Sequence, residues 1–335
     1  MARVHLMNVS PGDCTIIEHK TGRVTMIDIC DGNLETRVEQ ARESMAMESH
    51  VATKGVRGNF RMGDHPSNPI NYLSDLGIKN IFRFILTHPD MDHMDGLAQL
   101  LERKSVANFW DTGARRKMNL ESWGRQYKKE DWEAYERLIA GKQEGTTSLT
   151  KLAGALFEFA NKGESQDGLF IVAPNEDLLC DPDENDDINT SSYIINYRND
   201  AGSFVFPGDA HDDSWEYALR EHKERLENCD FLLAPHHGRD SDRSYEFLDV
   251  LRPKLTYIGN APSDNIEYGE WSRRGLQIIT SNQAGNVVLE IHDGSYDVYV
   301  ENLAFVEASG VSPIIKNKQG YARWMTVKTK GKVAA

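Results

Sequence analysis

The stretch Thr87-His88-Pro89-Asp90-Met91-Asp92-His93-Met94-Asp95-Gly96 decides how this chain is read, because it follows directly on the apolar run Ile81-Phe82-Arg83-Phe84-Ile85-Leu86. A short run rich in β-branched and aromatic residues reads as a buried strand. The strand therefore delivers two histidines and three aspartates to one point at a sheet edge. Imidazole and carboxylate together are the donors that suit zinc, manganese or iron. In a tight turn alternate residues point to one side, so His88, Asp90 and Asp92 can converge while His93 closes from the next position. Gly96 lets the chain turn sharply into a following helix. The plainer alternative is a solvated acidic loop. Against it, ionisable groups crowded on a buried strand repel one another unless a cation lies between them.

Outward from this loop, the first thirty residues alternate as strands over 4–9, 14–18 and 24–29, with turns at Gly12-Asp13 and Thr21-Gly22. This opening reads as a β-meander. The stretch 33–68 is polar and weakly periodic, and reads as a short helix plus a long loop. A helix near Ile70–Leu76 ends at Gly77, a helix starts at Gly96, and a strand returns at Val106–Trp110. Residues 115–165 read as helical and carry Trp123, Tyr127, Trp132 and Tyr135, aromatics that are usually packing residues. Further strands are expected at 169–172, 192–197, 203–206, 231–234 and 256–258, and near 277–280, 286–292 and 296–300. Helices are expected over 213–226 and 268–275. Strands with interspersed helices, twice over, favour two sheets covered by helices.

Two more segments carry chemistry. Asp209 follows Phe206-Pro207-Gly208 at the end of a strand, where its carboxylate can project from a sheet edge and bridge two cations. His236 and His237 are adjacent after Phe231-Leu232-Leu233-Ala234-Pro235. One of them can ligate while the other contacts a leaving group or a carboxylate. Which does which stays open at this level.

These segments resemble the metallo-β-lactamase superfamily. H-x-D-x-D-H-x-x-G after an apolar strand is similar to the hydrolase domain of ComEC-type competence proteins, in which the usual second histidine is an aspartate. Asn8-Val9-Ser10-Pro11-Gly12-Asp13-Cys14, Met26-Ile27-Asp28 with Gly32, Gly208-Asp209-Ala210 and Pro235-His236-His237-Gly238 match further motifs of that domain in order. The resemblance covers residues 1–32, 69–110 and about 170–300. It implies an α/β chain folded as a four-layer αββα sandwich over 1–310, with insertions at about 33–68 and 115–165 and a basic tail at 311–335. It implies two divalent ions, zinc or manganese, held by His88, Asp90, Asp92, His93, Asp209 and His236, with Asp92 and His237 as catalytic groups. Asn189 stands where many members have a histidine, and Glu270 stands for a histidine of the competence relatives; both are further candidates. Asp13 and Asp28 are expected to support the metal loop, not to bind metal.

Composition bounds the rest. The chain has 335 residues, 39% hydrophobic and 27% charged, as in globular proteins. No apolar run approaches the roughly 20 residues a bilayer span needs. The N-terminus lacks a secretory hydrophobic region, so no membrane contact and a cytoplasmic location are expected. The four cysteines are scattered, which disfavours a disulfide framework or a zinc ribbon. A net charge of −14 repels nucleic acid unless local cations offset it. Basic residues gather at Lys54/Arg57/Arg61, at Arg115/Arg116/Lys117 and in the tail, while Asp181–Asp187 reads as a solvated acidic loop. The leading expectation, from the resemblance, is a phosphodiesterase acting as a nuclease, with nucleic acid as the candidate substrate. A small-molecule esterase or lactonase, with aromatics of the 115–165 insertion caging a choline-like cation, is the second. A metal-stabilised interaction module, or an effector gated by a sensor protein in a multi-gene bacterial defence system, is the third.

Overall fold

The computed structural model describes residues 1–33, 60–118, 127–180, 187–240, 243–261 and 266–330. Fifteen strands form two sheets among these residues. The first sheet contains β1 (Ala2–Leu6), β2 (Thr15–Glu18), β3 (Val24–Ile27), β4 (Asn80–Ile85), β5 (Ser105–Asp111) and β6 (Thr147–Thr150). The second contains β7 (Leu169–Ala173), β8 (Ile194–Asn199), β9 (Gly202–Phe206), β10 (Phe231–Leu233), β11 (Thr256–Ile258) and β12 (Ile278–Thr280). The chain then returns to the first sheet with β13 (Val287–His292), β14 (Ser295–Val300) and β15 (Ala322–Lys328). Strand order is β15-β14-β13-β1-β2-β3-β4-β5-β6 in one and β12-β11-β10-β9-β8-β7 in the other. The meander β1-β2-β3 is antiparallel, while β3 through β6 and β9 through β12 run parallel.

Period-two alternation explains the layering. Val4, Leu6, Ile17, Ile27, Ile85 and Trp110 meet Ile171, Ile195, Phe204, Phe206, Phe231, Leu233 and Tyr257 between the sheets. Their neighbours Ile16, Met26, Phe84 and Phe109 face the other way. There they pack on α1 (Pro69–Asp75), α2 (Leu97–Arg103) and α3 (Lys129–Ile139), which bury Leu73, Leu100 and Trp132. Outside the second sheet, Val172, Ile194, Val205 and Leu232 pack on α4 (Asp212–Glu221), α5 (Lys223–Leu226), α6 (Phe247–Leu251) and α7 (Tyr268–Arg273). Two short helices, α8 (Ser281–Ala284) and α9 (Leu303–Ala308), flank β13 and β14. The result is the four-layer αββα sandwich that the resemblance implies. Strands buried on both faces need the near-continuous apolar runs seen in the sequence.

Several expectations change. Residues 115–165 are not helical throughout: among the described residues of this stretch α3 is the one α-helix, and Thr147–Thr150 adds an edge strand to the first sheet. Gly141, Gly145, Gly154 and Gly163, all at positive φ, interrupt any longer helix. The helix expected over 213–226 is broken at His222 into α4 and α5. The stretch 311–335 is not a simple tail, because β15 pairs antiparallel with β14 and buries Ala322 and Val327 in the inter-sheet core. Trp132 and Tyr135 are 3% and 1% exposed, so they belong to the core and not to a cation cage. Most of the 33–68 insertion, with Lys54 and Arg57, lies outside the described residues, as do Trp123 and residues 181–186.

The carboxyl ends of the parallel strands β3, β4, β9, β10 and β11 open at one end of the sandwich, where ligand sites gather in such sheets. Gly96, at φ 103, ends the loop after β4 and lies against the backbone of Gly32 after β3. A Cβ there meets backbone that cannot rotate away. Gly96→Ala is expected to lower the unfolding free energy by roughly 1–3 kcal/mol from the positive φ alone, read as a lower urea midpoint. An unchanged midpoint contradicts the close approach.

Candidate metal centre

Four strand ends build the site, and a buried aspartate joins two of them. Asp28, just past β3 at φ 55, is 1% exposed. Its Oδ1 accepts the Thr87 amide at 2.8 Å, and its Oδ2 accepts the Thr87 hydroxyl at 2.7 Å. The same Oδ2 lies 2.8 Å from His93 Nδ1. One carboxylate thus holds both ends of the loop Thr87–His93. From the second sheet, β9 delivers Asp209 and β10 delivers His236 and His237, the two histidines at φ 50 and 57. Gly12, at φ 149, lets the loop between β1 and β2 pass against the carbonyl of Asp92 and brings Asp13 to the same place.

Hydrogen bonding sets the ring tautomers. Thr87 spends its single hydroxyl proton on Asp28, so toward His88 Nδ1 at 3.1 Å it can only accept. His88 therefore carries its proton on Nδ1 and turns the Nε2 lone pair inward. His93 likewise donates its Nδ1–H to Asp28 and turns Nε2 inward. His237 Nδ1 faces Asp13 Oδ1 at 3.2 Å, imperfectly aligned for a hydrogen bond, and its Nε2 lies 3.6 Å from Asp92 Oδ2 and 3.9 Å from Asp209 Oδ1. His236 is the opposite case. Its Nδ1 lies 2.7 Å from Nη2 of Arg243, which can only donate, so the proton sits on Nε2, 3.5 Å from Asp209 Oδ2.

The inward atoms are left over. His88 Nε2, His93 Nε2, His237 Nε2 and Asp209 Oδ1 are all buried and have no hydrogen-bond partner. Buried polar atoms without partners are rare and call for an explanation. Here they face one another: His93 Nε2 is 3.3 Å from Asp209 Oδ1, and the His88 and His93 rings are 4.3 Å apart. Asp13, His93, Asp209 and His237 each place a donor atom within 4.8 Å of the others. Asp209 turns Oδ1 toward His93 and His237 and Oδ2 toward the Nε2–H of His236. Outer partners hold the far sides of the rings, as in metal sites with oriented ligands. The donor set fits divalent ions of the zinc, manganese and iron class.

Charge agrees with this. Burial, and then the His93 ring beside it, push the His88 imidazole down to about 3, so it is neutral. Burial also lowers His236 to about 4. For His237 burial works downward too, but the carboxylates of Asp13 and Asp209 outweigh it and raise it to about 10. His93 is likewise raised, Asp209 and Asp28 outweighing its burial. Without an ion, then, two protonated rings balance the buried carboxylates.

Of the residues singled out in the sequence, the structure brings together His88, Asp92, His93, Asp209, His236 and His237. It does not bring Asp90 with them. Asp90 Oδ1 accepts the Met91 amide at 2.7 Å, and Oδ2 pairs with Arg116 at 2.7 Å. Glu270 pairs with Arg273 and Arg274 on α7, at 2.6 and 2.5 Å. Asn189 sits in a half-buried turn, and it is Ser192 whose hydroxyl accepts the Asp209 amide, at 3.3 Å. Arg243 was not anticipated; it also donates to the carbonyls of Asp209 and Ala210, at 2.9 and 2.6 Å. Nothing local in Arg239-Asp240-Ser241-Asp242-Arg243 marks it. Asp13, expected only as support, lies inside the cluster.

No family model matches the chain, and no curated protein matches it in sequence. Among solved structures it is similar to a metal-dependent hydrolase of the β-lactamase superfamily, at 13% identity and TM-score 0.48 over 88% of this chain and 100% of that one. A diphosphatase of the PhnP family matches at 14% identity and TM-score 0.42, over 87% of this chain and 98% of that one. Zn(2+)-bound PqqB from Methylobacterium extorquens matches at 11% identity and TM-score 0.43, over 87% and 100%. Likenesses this distant decide neither substrate nor metal. Among the described residues no helix is long and apolar enough to cross a membrane.

The raised imidazoles make a signed prediction. A group whose folded pKa is raised stabilises the fold fully below its unfolded value, about 6.5 for histidine, and this stabilisation fades as the pH rises through the folded value. In the ion-free protein the His237 contribution is therefore lost toward pH of about 10. Ligation requires neutral rings, so ion uptake near pH 7 must expel the protons of His93 and His237. Calorimetric titration with zinc in buffers of different ionisation enthalpy is expected to show close to two protons released, with affinity rising with pH. Uptake without proton release contradicts the charge assignment.

Proposed function

We propose that the chain is a metal-dependent hydrolase of phosphodiesters, with His88, Asp92, His93, Asp209 and His237 as ion ligands. The observation that carries this reading is the convergence of four buried donor atoms without hydrogen-bond partners, three imidazole nitrogens and one carboxylate oxygen, with the His88 and His93 rings held from behind. On this reading His237 ligates and His236 does not, the reverse of the roles the resemblance suggested. Arg243 keeps the proton of His236 on Nε2, which leaves an N–H able to donate to an anionic oxygen of the substrate or leaving group. These residues would hold divalent ions, whose chemistry would be to lower the pKa of a bound water toward neutrality and to offset charge developing on the substrate. The likeness of the loop to the competence-protein domain supports a phosphodiester, with nucleic acid among the candidates.

Charge around the site supports an anionic substrate on a chain of net charge −14. Arg116 pairs with Asp90 beside the loop, Arg239 follows the histidine pair, and Arg243 lies under Asp209. Phosphate-bearing ligands are steered by such local cations whatever the overall charge. Trp132 and Tyr135 are core residues and so contribute nothing to a choline-type cation cage. A partner protein that gates the activity remains compatible with this proposal.

The test is a panel of a chromogenic phosphodiester, single-stranded DNA, RNA, a cyclic dinucleotide and a lactone, each with manganese or zinc. Cleavage is expected for at least one phosphodiester and not for the lactone. Asp92→Ala is expected to reduce kcat/KM about 10³-fold or more, equivalent to about 4 kcal/mol. Lactone hydrolysis alone, or activity unchanged in Asp92→Ala, overturns the proposal.

A further inference from the structure

Besides Arg116, which pairs with Asp90, the inserted segment between β5 and β6 reaches the metal loop through a buried acid. Asp131, in the first turn of α3, is fully buried. Its Oδ2 accepts the Gly96 amide at 3.0 Å and its Oδ1 accepts the Ala98 amide at 2.8 Å. These are the orphan donors at the start of α2, the helix that begins where the metal loop ends. Gly96 occupies the N-cap of α2 and has no side chain to satisfy them. Asp131 therefore acts as the cap from another helix.

The same carboxylate is tied to the loop from a second side. Asn33 Nδ2 donates to Asp131 Oδ2 at 2.7 Å and to Asp95 Oδ1 at 2.8 Å, while Asn33 Oδ1 accepts from Gln99 Nε2 at 3.0 Å. Asp95 Oδ2 accepts the Asp31 amide at 3.1 Å, and the Asp95 carbonyl accepts the Gly32 amide at 3.0 Å. Immediately upstream, the His93 carbonyl accepts the Ile29 amide at 3.0 Å. The strand end that carries Asp28 and the loop that carries Asp92 and His93 are thus locked into one unit, and Asp131 closes it from outside. The sandwich itself does not require this: strands β3, β4 and β5 pair without the insertion.

We propose that Asp131 is a positioning residue for the metal centre, its carboxylate fixing the Gly96 end of the loop so that Asp92 and His93 stay set for an ion. This rests on the metal-binding reading given above. Outer partners of ligands typically matter by 10–100-fold in ion affinity. An isosteric amide cannot accept both backbone N–H groups and the Asn33 amide at once, because one of its two terminal atoms is a donor.

The test compares the full chain with Asp131→Asn and with Asp230→Asn. Asp230 is a buried carboxylate at the opposite end of β10, accepting the Ser203 amide at 3.0 Å, and serves as a control for general destabilisation. Manganese and zinc affinities are measured by competition with a chromophoric chelator, and the visible spectrum of the cobalt-substituted protein is recorded alongside thermal melting. Asp131→Asn is expected to bind about 10-fold or more weakly and to show an altered cobalt spectrum, while Asp230→Asn melts lower but binds as wild type. If Asp131→Asn does not fold, Asn33→Ser, which removes the amide between Asp131 and Asp95 together with its contact to Gln99, is measured in its place with the same expectation. Wild-type affinity and spectrum in the Asp131 or Asn33 variant, or an equal loss in the Asp230 control, overturns this inference alone. A wild-type chain that binds neither ion overturns the metal reading and this inference with it.

Discussion

The Asp28 carboxylate is the contact on which the rest of the site depends. It lies under the surface at the end of β3 and takes hydrogen bonds from the amide and hydroxyl of Thr87 and from His93. Because Thr87 gives its proton to Asp28, its oxygen must accept from His88, and this turns the second nitrogen of His88 toward the centre. One buried acid therefore sets two imidazoles at once. A carboxylate this deep costs several kcal/mol in desolvation unless its lone pairs are filled, and three donors fill them. The inward-facing atoms have no such relief within the protein.

The sandwich serves this arrangement by bringing loops from both sheets to one end. Residues far apart in the chain meet there because the parallel strands β3, β4, β9 and β10 all end on the same side. The apolar layer between the sheets, with Phe204, Phe206, Phe231 and Tyr257, fixes the spacing of these strand ends. Interiors packed at crystal density have low compressibility and so hold such positions firmly. Burial then raises the stakes of every charge, lowering His88 and His236 while the carboxylates raise His93 and His237.

Much of this is legible in the residues alone. The apolar run before His88, the G-D turn at Asp209 and the adjacent histidines mark three strand ends, and the near-continuous apolar runs foretell sheets buried on both faces. What stays hidden is long-range. His236 and His237 are chemically identical, and only Asp13 from the first sheet and Arg243 from after β10 distinguish them. Asp90 has the right type and spacing to join its neighbours, yet Arg116 from the insertion holds one oxygen and the Met91 amide the other. The edge strand Thr147–Thr150 is too short to stand out between glycines. The last strand, Ala322–Lys328, is masked by the basic residues around it, and pairing with β14 decides its conformation.

The most direct measurement is anomalous diffraction from crystals of the full chain grown with manganese. The account predicts a peak at about 2.0–2.3 Å from His93 Nε2, His237 Nε2 and an oxygen of Asp209, the ordinary range for such ligands, with Nδ1 of His236 still held by Arg243. Crystals that keep these side chains in place, yet show no anomalous density among them at saturating manganese or zinc, contradict it.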